Sequence, residues 1–207
     1  ERIMIGLTEG YSPGSASRGA APGIQHPRKD GMMKKERPTP AYVWFDTEYT
    51  TLELESARLL QVAAMITDRD LGRLHPPAED FNCCVRLPRN AGLSSWVKRN
   101  LAGLIERCRG PEAVPADEID GLLCDYIDRW LGLPRDEIEL RPVLAGNSIH
   151  ADWFLARRFC PAFLTRMHYR LLDVSALKIQ WKDCGEGEEL NKSDPQQVVR
   201  YFPEADV

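Results

Sequence analysis

The sequence predicts an α/β protein on a mixed sheet, an antiparallel meander continued by parallel strands and flanked by helices. Three patterns lead there. Apolar, β-branched and aromatic runs at 43–48, 59–67 and 81–87 follow one another through short connections, as strands of a meander do. Two stretches, 94–107 and 116–131, carry apolar residues at helical spacing. From 143 onward, short buried runs alternate with helical segments, the order of parallel strands with crossover helices.

The first strand, Val43-Trp44-Phe45-Asp46-Thr47-Glu48, is apolar and aromatic yet ends in two carboxylates one residue apart. Alternate side chains of a strand share a face, so Asp46 and Glu48 project side by side. Like charges held away from water are costly unless neutralised, and a hard divalent cation such as Mg²⁺ suits carboxylate oxygen. The plainer alternative is a strand end whose acids reach solvent. Leu59 to Thr67 reads as the second strand, Asp68 to Arg73 as its turn, and Phe81 to Leu87 as the third. Ser94 to Arg107 reads as a helix with Trp96, Val97, Leu101, Leu104 and Ile105 on one stripe, stopped by Gly110-Pro111. Ala116 to Leu131 reads as another, burying Ile119, Leu122, Leu123, Tyr126, Ile127 and Trp130.

Val143 to Gly146 is a short buried strand, and Asn147-Ser148-Ile149 leads into a helix that ends near Cys160-Pro161. Asp152 lies one turn into that helix, placed to face the strand end bearing Asp46 and Glu48. Three acids from separated segments are the donor set of a two-metal phosphodiesterase. For a single helical aspartate the alternative is a partner for the helix dipole. Leu171 to Val174 forms a last strand, and Ser175 suits the N-cap of the helix behind it.

Composition narrows the classes of function. The chain has 207 residues, 43% of them hydrophobic, enough for one substantial core. No apolar run approaches the roughly 20 residues that cross a bilayer, which argues against a membrane protein. Cys83, Cys84, Cys108, Cys124, Cys160 and Cys184 show no Cys-x-x-Cys pair and no secretory signal precedes them, so reduced thiols and a cytoplasmic location are expected. The net charge is -4: residues 1–40 hold seven Lys/Arg against four Asp/Glu, the remainder 20 against 27. A domain this acidic is poorly suited to tracking along a polyanion, so short substrates fit better than long ones. Residues 1–40, rich in Gly, Pro and Ser up to about residue 31, read as a disordered tail, and those before Met33 as non-native upstream sequence. Residues 41–207 are then the catalytic domain.

Trp44-Phe45-Asp46-Thr47-Glu48, Gly146-Asn147-Ser148-Ile149-His150-Ala151-Asp152 and His168-Tyr169-Arg170-Leu171-Leu172-Asp173-Val174-Ser175-Ala176-Leu177-Lys178 together resemble the oligoribonucleases. These are members of the DEDDh group of 3′-to-5′ exonucleases with an RNase H-like fold. Trp96 and Gly103-Leu104-Ile105-Glu106-Arg107 fit the same pattern. The resemblance implies an RNase H-like mixed sheet, a two-metal Mg²⁺ or Mn²⁺ site on Asp46, Glu48 and Asp152, and short single-stranded RNA as substrate. It also implies that Ser148, Arg170 and Ser175 cap the substrate's 5′ phosphate. Leu52 would wedge against the bases, Trp96 would contact substrate, and Tyr169 would reach in from the partner of a homodimer. Arginine's bidentate grip and hydroxyls near a helix start make chemical sense of such a cap.

The sequence also departs from that family. Tyr49-Thr50-Thr51 stands where it has a Thr-Gly pair, and Leu101 where a polar substrate contact is expected. The closing motif, a histidine base followed five positions later by a fourth aspartate, has no match in His26, His75, His150 or His168. Tyr201 and Asp206 have that spacing, but Pro203 between them breaks a helix. Truncation before the motif is therefore expected. The resulting expectation is a 3′-to-5′ exoribonuclease that cuts dinucleotides and other very short RNAs to mononucleotides. The alternatives are an exonuclease acting on other single-stranded DNA or RNA 3′ ends and, should Val207 be the true terminus, a catalytically decayed nucleotide-binding protein.

Overall fold

The computed structural model describes residues 41–184. The expected tail over 1–40, and Tyr201 with Asp206, lie outside the described residues. Five strands form one sheet in the order β3-β2-β1-β4-β5. They are β1 (Tyr42–Tyr49), β2 (Leu59–Thr67), β3 (Phe81–Cys84), β4 (Val143–Gly146) and β5 (Leu171–Asp173). β1, β2 and β3 pair antiparallel, whereas β4 and β5 join parallel to β1 and to each other. The expected meander with a parallel extension is therefore what forms.

β1 alternates strictly: Val43, Phe45, Thr47 and Tyr49 are buried while Tyr42, Trp44, Asp46 and Glu48 are half-buried on the other face. The buried face packs against α3 (Ile119–Leu131), α4 (Ile149–Phe159) and α5 (Pro161–Thr165) through Ile119, Leu123, Ile127, Ile149, Leu155 and Phe163. Phe45 stacks on Phe163 with centroids 5.3 Å apart, a pairing that adds about 1 kcal/mol to the burial of the two rings. A second cluster of Leu60, Leu87, Val97, Leu104, Ile105 and Cys108 seats α1 (Ser95–Asn100) and α2 (Ala102–Arg109).

Several boundaries differ from the sequence reading. The helix expected over 94–107 is two, because Leu101 leaves helical geometry at φ -120°, ψ 28°. β3 stops at Cys84 rather than Leu87: Val85 still donates its amide to the Leu60 carbonyl of β2 at 2.8 Å, but the next two amides, of Arg86 and Leu87, pair with Val114 and Cys108. Leu122 is exposed, lying to one side of the stripe that Ile119, Leu123, Tyr126 and Ile127 form. α5 was not expected. Pro161 opens it, and Asp120 of α3 accepts from the Ala162 and Phe163 amides at 2.9 and 2.7 Å, capping it from a different helix. α6 (Val174–Cys184) begins one residue early, and its cap is Asp173, whose carboxylate accepts from the Ser175 amide at 2.9 Å. Ser175 is thus inside the helix and not its N-cap.

Gly146 shows why β4 ends as it does. A Cβ there would sit 2.8 Å from the Phe45 carbonyl oxygen and 2.9 Å from Ile149 Cδ1. Only glycine lets the end of β4 lie this close to β1 before the chain turns into α4.

Candidate functional site

Because β4 and β5 run parallel to β1, the C-terminal ends of all three strands lie along one edge of the sheet. Asp46 and Glu48 lie towards that end of β1, on its half-buried face. Between them Thr47 points inward, with its backbone amide beyond the last β1–β4 pair, Trp44 with Ala145. Asp152 fills that gap from the first turns of α4. Its Oδ1 accepts from the Thr47 amide at 2.9 Å and from the Thr47 hydroxyl at 2.6 Å, with both residues fully buried. The carboxylate of Asp152 therefore fixes the backbone that spaces the other two acids.

At the ends of β4 and β5 a second carboxylate organises two serines. Asp173 Oδ1 accepts from the Ser148 amide at 3.0 Å, from the Ser175 amide at 2.9 Å, and from the Ser175 hydroxyl. The Ser148 hydroxyl lies 3.4 Å from that of Ser175. Ser148 adopts left-handed geometry, φ 55° and ψ 38°, which costs a non-glycine residue of order 1 kcal/mol or more and persists only where neighbours impose it. Asp173 and Ser175, both bonding its amide, are those neighbours. Lys178 adds a positive charge beside the pair, donating to Asn147 Oδ1 at 2.6 Å.

Burial works to raise the Asp173 pKa. The Ser175 hydroxyl and amide, the Ser148 amide and His150 outweigh it and hold the carboxyl below its ordinary value. A lowered native pKa means a stabilising contribution that is complete above the ordinary carboxylate range and lost as pH falls through the native value. The thermal midpoint of wild type should therefore exceed that of Asp173→Asn most clearly near neutral pH, and the gap should close in acid. A gap independent of pH would refute this account.

The remaining expected substrate residues are exposed. Leu52 is 85% exposed on the loop between β1 and β2, and Trp96 of α1 is 46% exposed, so neither is ordinary core. The Thr50 carbonyl accepts from the Ser94 amide at 3.0 Å, which ties the Leu52 loop to the start of α1. Arg158 of α4 holds the same loop through the Leu54, Glu55 and Ala57 carbonyls. Tyr169, 64% exposed, stacks on His168 at 4.4 Å with the Arg170 guanidinium 5.4 Å over its ring. Arg170 precedes β5 while Asp173 ends it. Arg170 makes no direct hydrogen bond to Ser148 or Ser175 among the described residues; its amide donates to His168 Nδ1 at 2.9 Å.

Two contributors escaped sequence reasoning, Thr47 and Asp173. Each sits inside a quoted motif, and Asp173 could have been suspected from its position two residues before Ser175. Among the described histidines, His75 is buried and engaged elsewhere, its Nε2 accepting from the Ile66 amide at 3.2 Å with the Tyr126 hydroxyl 2.7 Å away, while His150 Nδ1 lies 3.6 Å from Asp173 Oδ2. Burial pushes the Cys108 thiol up to about 11 and the Cys160 thiol up to about 12, so both stay protonated at neutral pH and are not nucleophiles.

Asp46, Glu48 and Asp152 do not form a metal-holding cluster of three or more donors among the described residues. Mg²⁺ and Mn²⁺ do not need one. Mg²⁺ commonly takes one or two carboxylates and completes its shell with water and substrate phosphate. Two hard oxygen donors on one face of β1 match that demand. Asp152, through Thr47, holds the pair in place.

No family model matches the chain. An oligoribonuclease of Tropheryma whipplei (strain Twist) is 31% identical over 152 residues, 70% of this chain and 76% of that protein. The human mitochondrial oligoribonuclease is 32% identical over 173 residues, 80% of this chain and 67% of that protein. A probable oligoribonuclease of Schizosaccharomyces pombe is 34% identical over 140 residues, 66% of this chain. The chain spans 52% of the length of the Schizosaccharomyces pombe protein and 62% of a probable oligoribonuclease of Drosophila melanogaster. Among solved structures, a product-bound exonuclease I superposes with a TM-score of 0.54 at 13% identity, covering 81% of this chain and 38% of that one. Cell-death related nuclease 4 superposes with a TM-score of 0.52 at 16% identity, covering 80% and 56%. At these identities the likeness is one of fold.

Proposed function

Because this chain belongs to the oligoribonuclease family, we propose that it is a 3′-to-5′ exoribonuclease that hydrolyses very short RNAs, dinucleotides above all, to mononucleotides. Its fold is the RNase H-like exonuclease fold. The observation that carries the reading is the shared sheet edge. The strand holding Asp46 and Glu48 and the serine pair organised by Asp173 end side by side.

In this reading Asp46 and Glu48 hold Mg²⁺ or Mn²⁺. A divalent ion bound there supplies charge neutralisation of the scissile phosphodiester and a water of lowered pKa. Asp152 positions the two acids through Thr47. Ser148 and Ser175 present hydroxyls, and Lys178 a charge, to the substrate's 5′ phosphate. Arg170 completes that cap, and in a homodimer Tyr169 enters from the partner subunit. Leu52 and Trp96 offer exposed apolar surface to the bases. The histidine base of the family has no counterpart among the described residues.

A cap at the 5′ end makes the site length-selective, since each added nucleotide pushes the scissile bond away from the acids. Turnover of 5′-phosphorylated RNAs of graded length by the full chain should fall steeply beyond dinucleotides. Arg170→Ala should lower kcat/KM on the phosphorylated dinucleotide by about 10- to 100-fold, the worth of a charged hydrogen bond. Equal rates on long RNA would overturn the cap and point to general single-stranded ends.

A further inference from the structure

A cleft of about 690 Å³ opens where the loop after β3, the end of α2 and the end of α4 meet, and no residue assigned above to metal or substrate lines it. Backbone pairing builds its wall. Arg86 donates its amide to Val114 at 2.7 Å, Leu87 to Cys108 at 2.9 Å, and Val85 bridges Val114. Four arginines line it, Arg58, Arg86, Arg89 and Arg109, and its accessible apolar lining is Pro88, Pro115, Ala116 and the half-buried Phe159, whose ring Arg158 covers from one side at 4.9 Å. Arg86 Nη2 donates to the Ala113 carbonyl at 2.9 Å, which sets its guanidinium against the wall. Arg58, Arg89 and Arg109 are exposed, and none of the four forms an ion pair with a carboxylate among the described residues.

Such a concentration of guanidinium is unexpected in a chain of net charge -4. Like charges around one cavity repel, and an anion relieves them. Guanidinium donors match phosphate geometry, and an apolar lining offers a surface to a flat ring. The volume falls within the roughly 300–1,000 Å³ of small-ligand pockets.

We infer that this cleft is a second site, which binds a small nucleoside phosphate with its phosphates on Arg58, Arg86, Arg89 and Arg109 and its base on the apolar lining. It does not depend on the catalytic reading. Calorimetric titration of the full chain in EDTA and low salt tests it, with adenosine diphosphate, inorganic pyrophosphate and a hexameric RNA as probes. Adenosine diphosphate should bind saturably and more tightly than pyrophosphate. The Arg58→Ala/Arg109→Ala double variant should weaken it by about tenfold or more at unchanged thermal midpoint, while Arg170→Ala should leave it intact. No saturable binding of the nucleotide, or loss of binding in Arg170→Ala instead, would overturn the site. Equal affinity for pyrophosphate would overturn the nucleoside assignment. Hexameric RNA binding well above the nucleotide would replace the pocket by a polymer track. Full turnover in Arg170→Ala would count against the catalytic reading, whereas the binding results above decide this site.

Discussion

Replacing Asp46 by alanine is expected to lower kcat/KM on a 5′-phosphorylated diribonucleotide by about 10²- to 10³-fold, the scale of losing one preorganised electrostatic group. Asp46 is half-buried on the same face of β1 as Glu48, so the substitution opens no cavity in the core. Calorimetric titration with Mg²⁺ gives an independent readout, because one of two strand donors is lost and binding should weaken with activity. Retained turnover with unchanged Mg²⁺ binding would remove Asp46 from the site.

Asp152→Ala should behave differently, costing stability as well as activity. It strips two hydrogen bonds, at 2.9 and 2.6 Å, from a buried amide and a buried hydroxyl of Thr47. Hydrogen bonds to charged acceptors are worth about 1.5–3 kcal/mol each, so the loss is on the order of 3–5 kcal/mol. Against a domain stability of about 5–15 kcal/mol that is a large fraction. Asp152→Asn keeps a carbonyl oxygen that can accept both bonds and should cost about 1 kcal/mol, yet it removes the negative charge from the side chain that holds Thr47. Urea denaturation of the two variants separates the roles. Equal stability of the alanine and asparagine variants would show that the Thr47 contacts matter little.

Much of this molecule was legible in the chain itself wherever one local period governs. The alternation of Val43, Phe45 and Thr47 against Trp44, Asp46 and Glu48 requires only that successive strand residues face opposite ways, and the two acids share a face as expected. β2 and β4 follow from short apolar runs, with the bounds the sequence suggests. Local rules fail where a distant group intervenes. Leu101 breaks one expected helix into two while lying partly buried against the Leu60 cluster. α5 exists under a cap from Asp120, 42 residues away. Ser148 holds its left-handed turn through Asp173, 25 residues on.

The site divides in the same way. That Asp46 and Glu48 stand together is a property of one strand; that Asp152 reaches Thr47 across 105 positions depends on where β4 stops and α4 begins. The same path of the chain brings Arg58, Arg86, Arg89 and Arg109 to one cleft. Periodicity reports which face a residue takes, because that depends on neighbours two to four positions away. Partners far apart in sequence meet only when the sheet order and the crossovers deliver them, and no local pattern encodes that meeting.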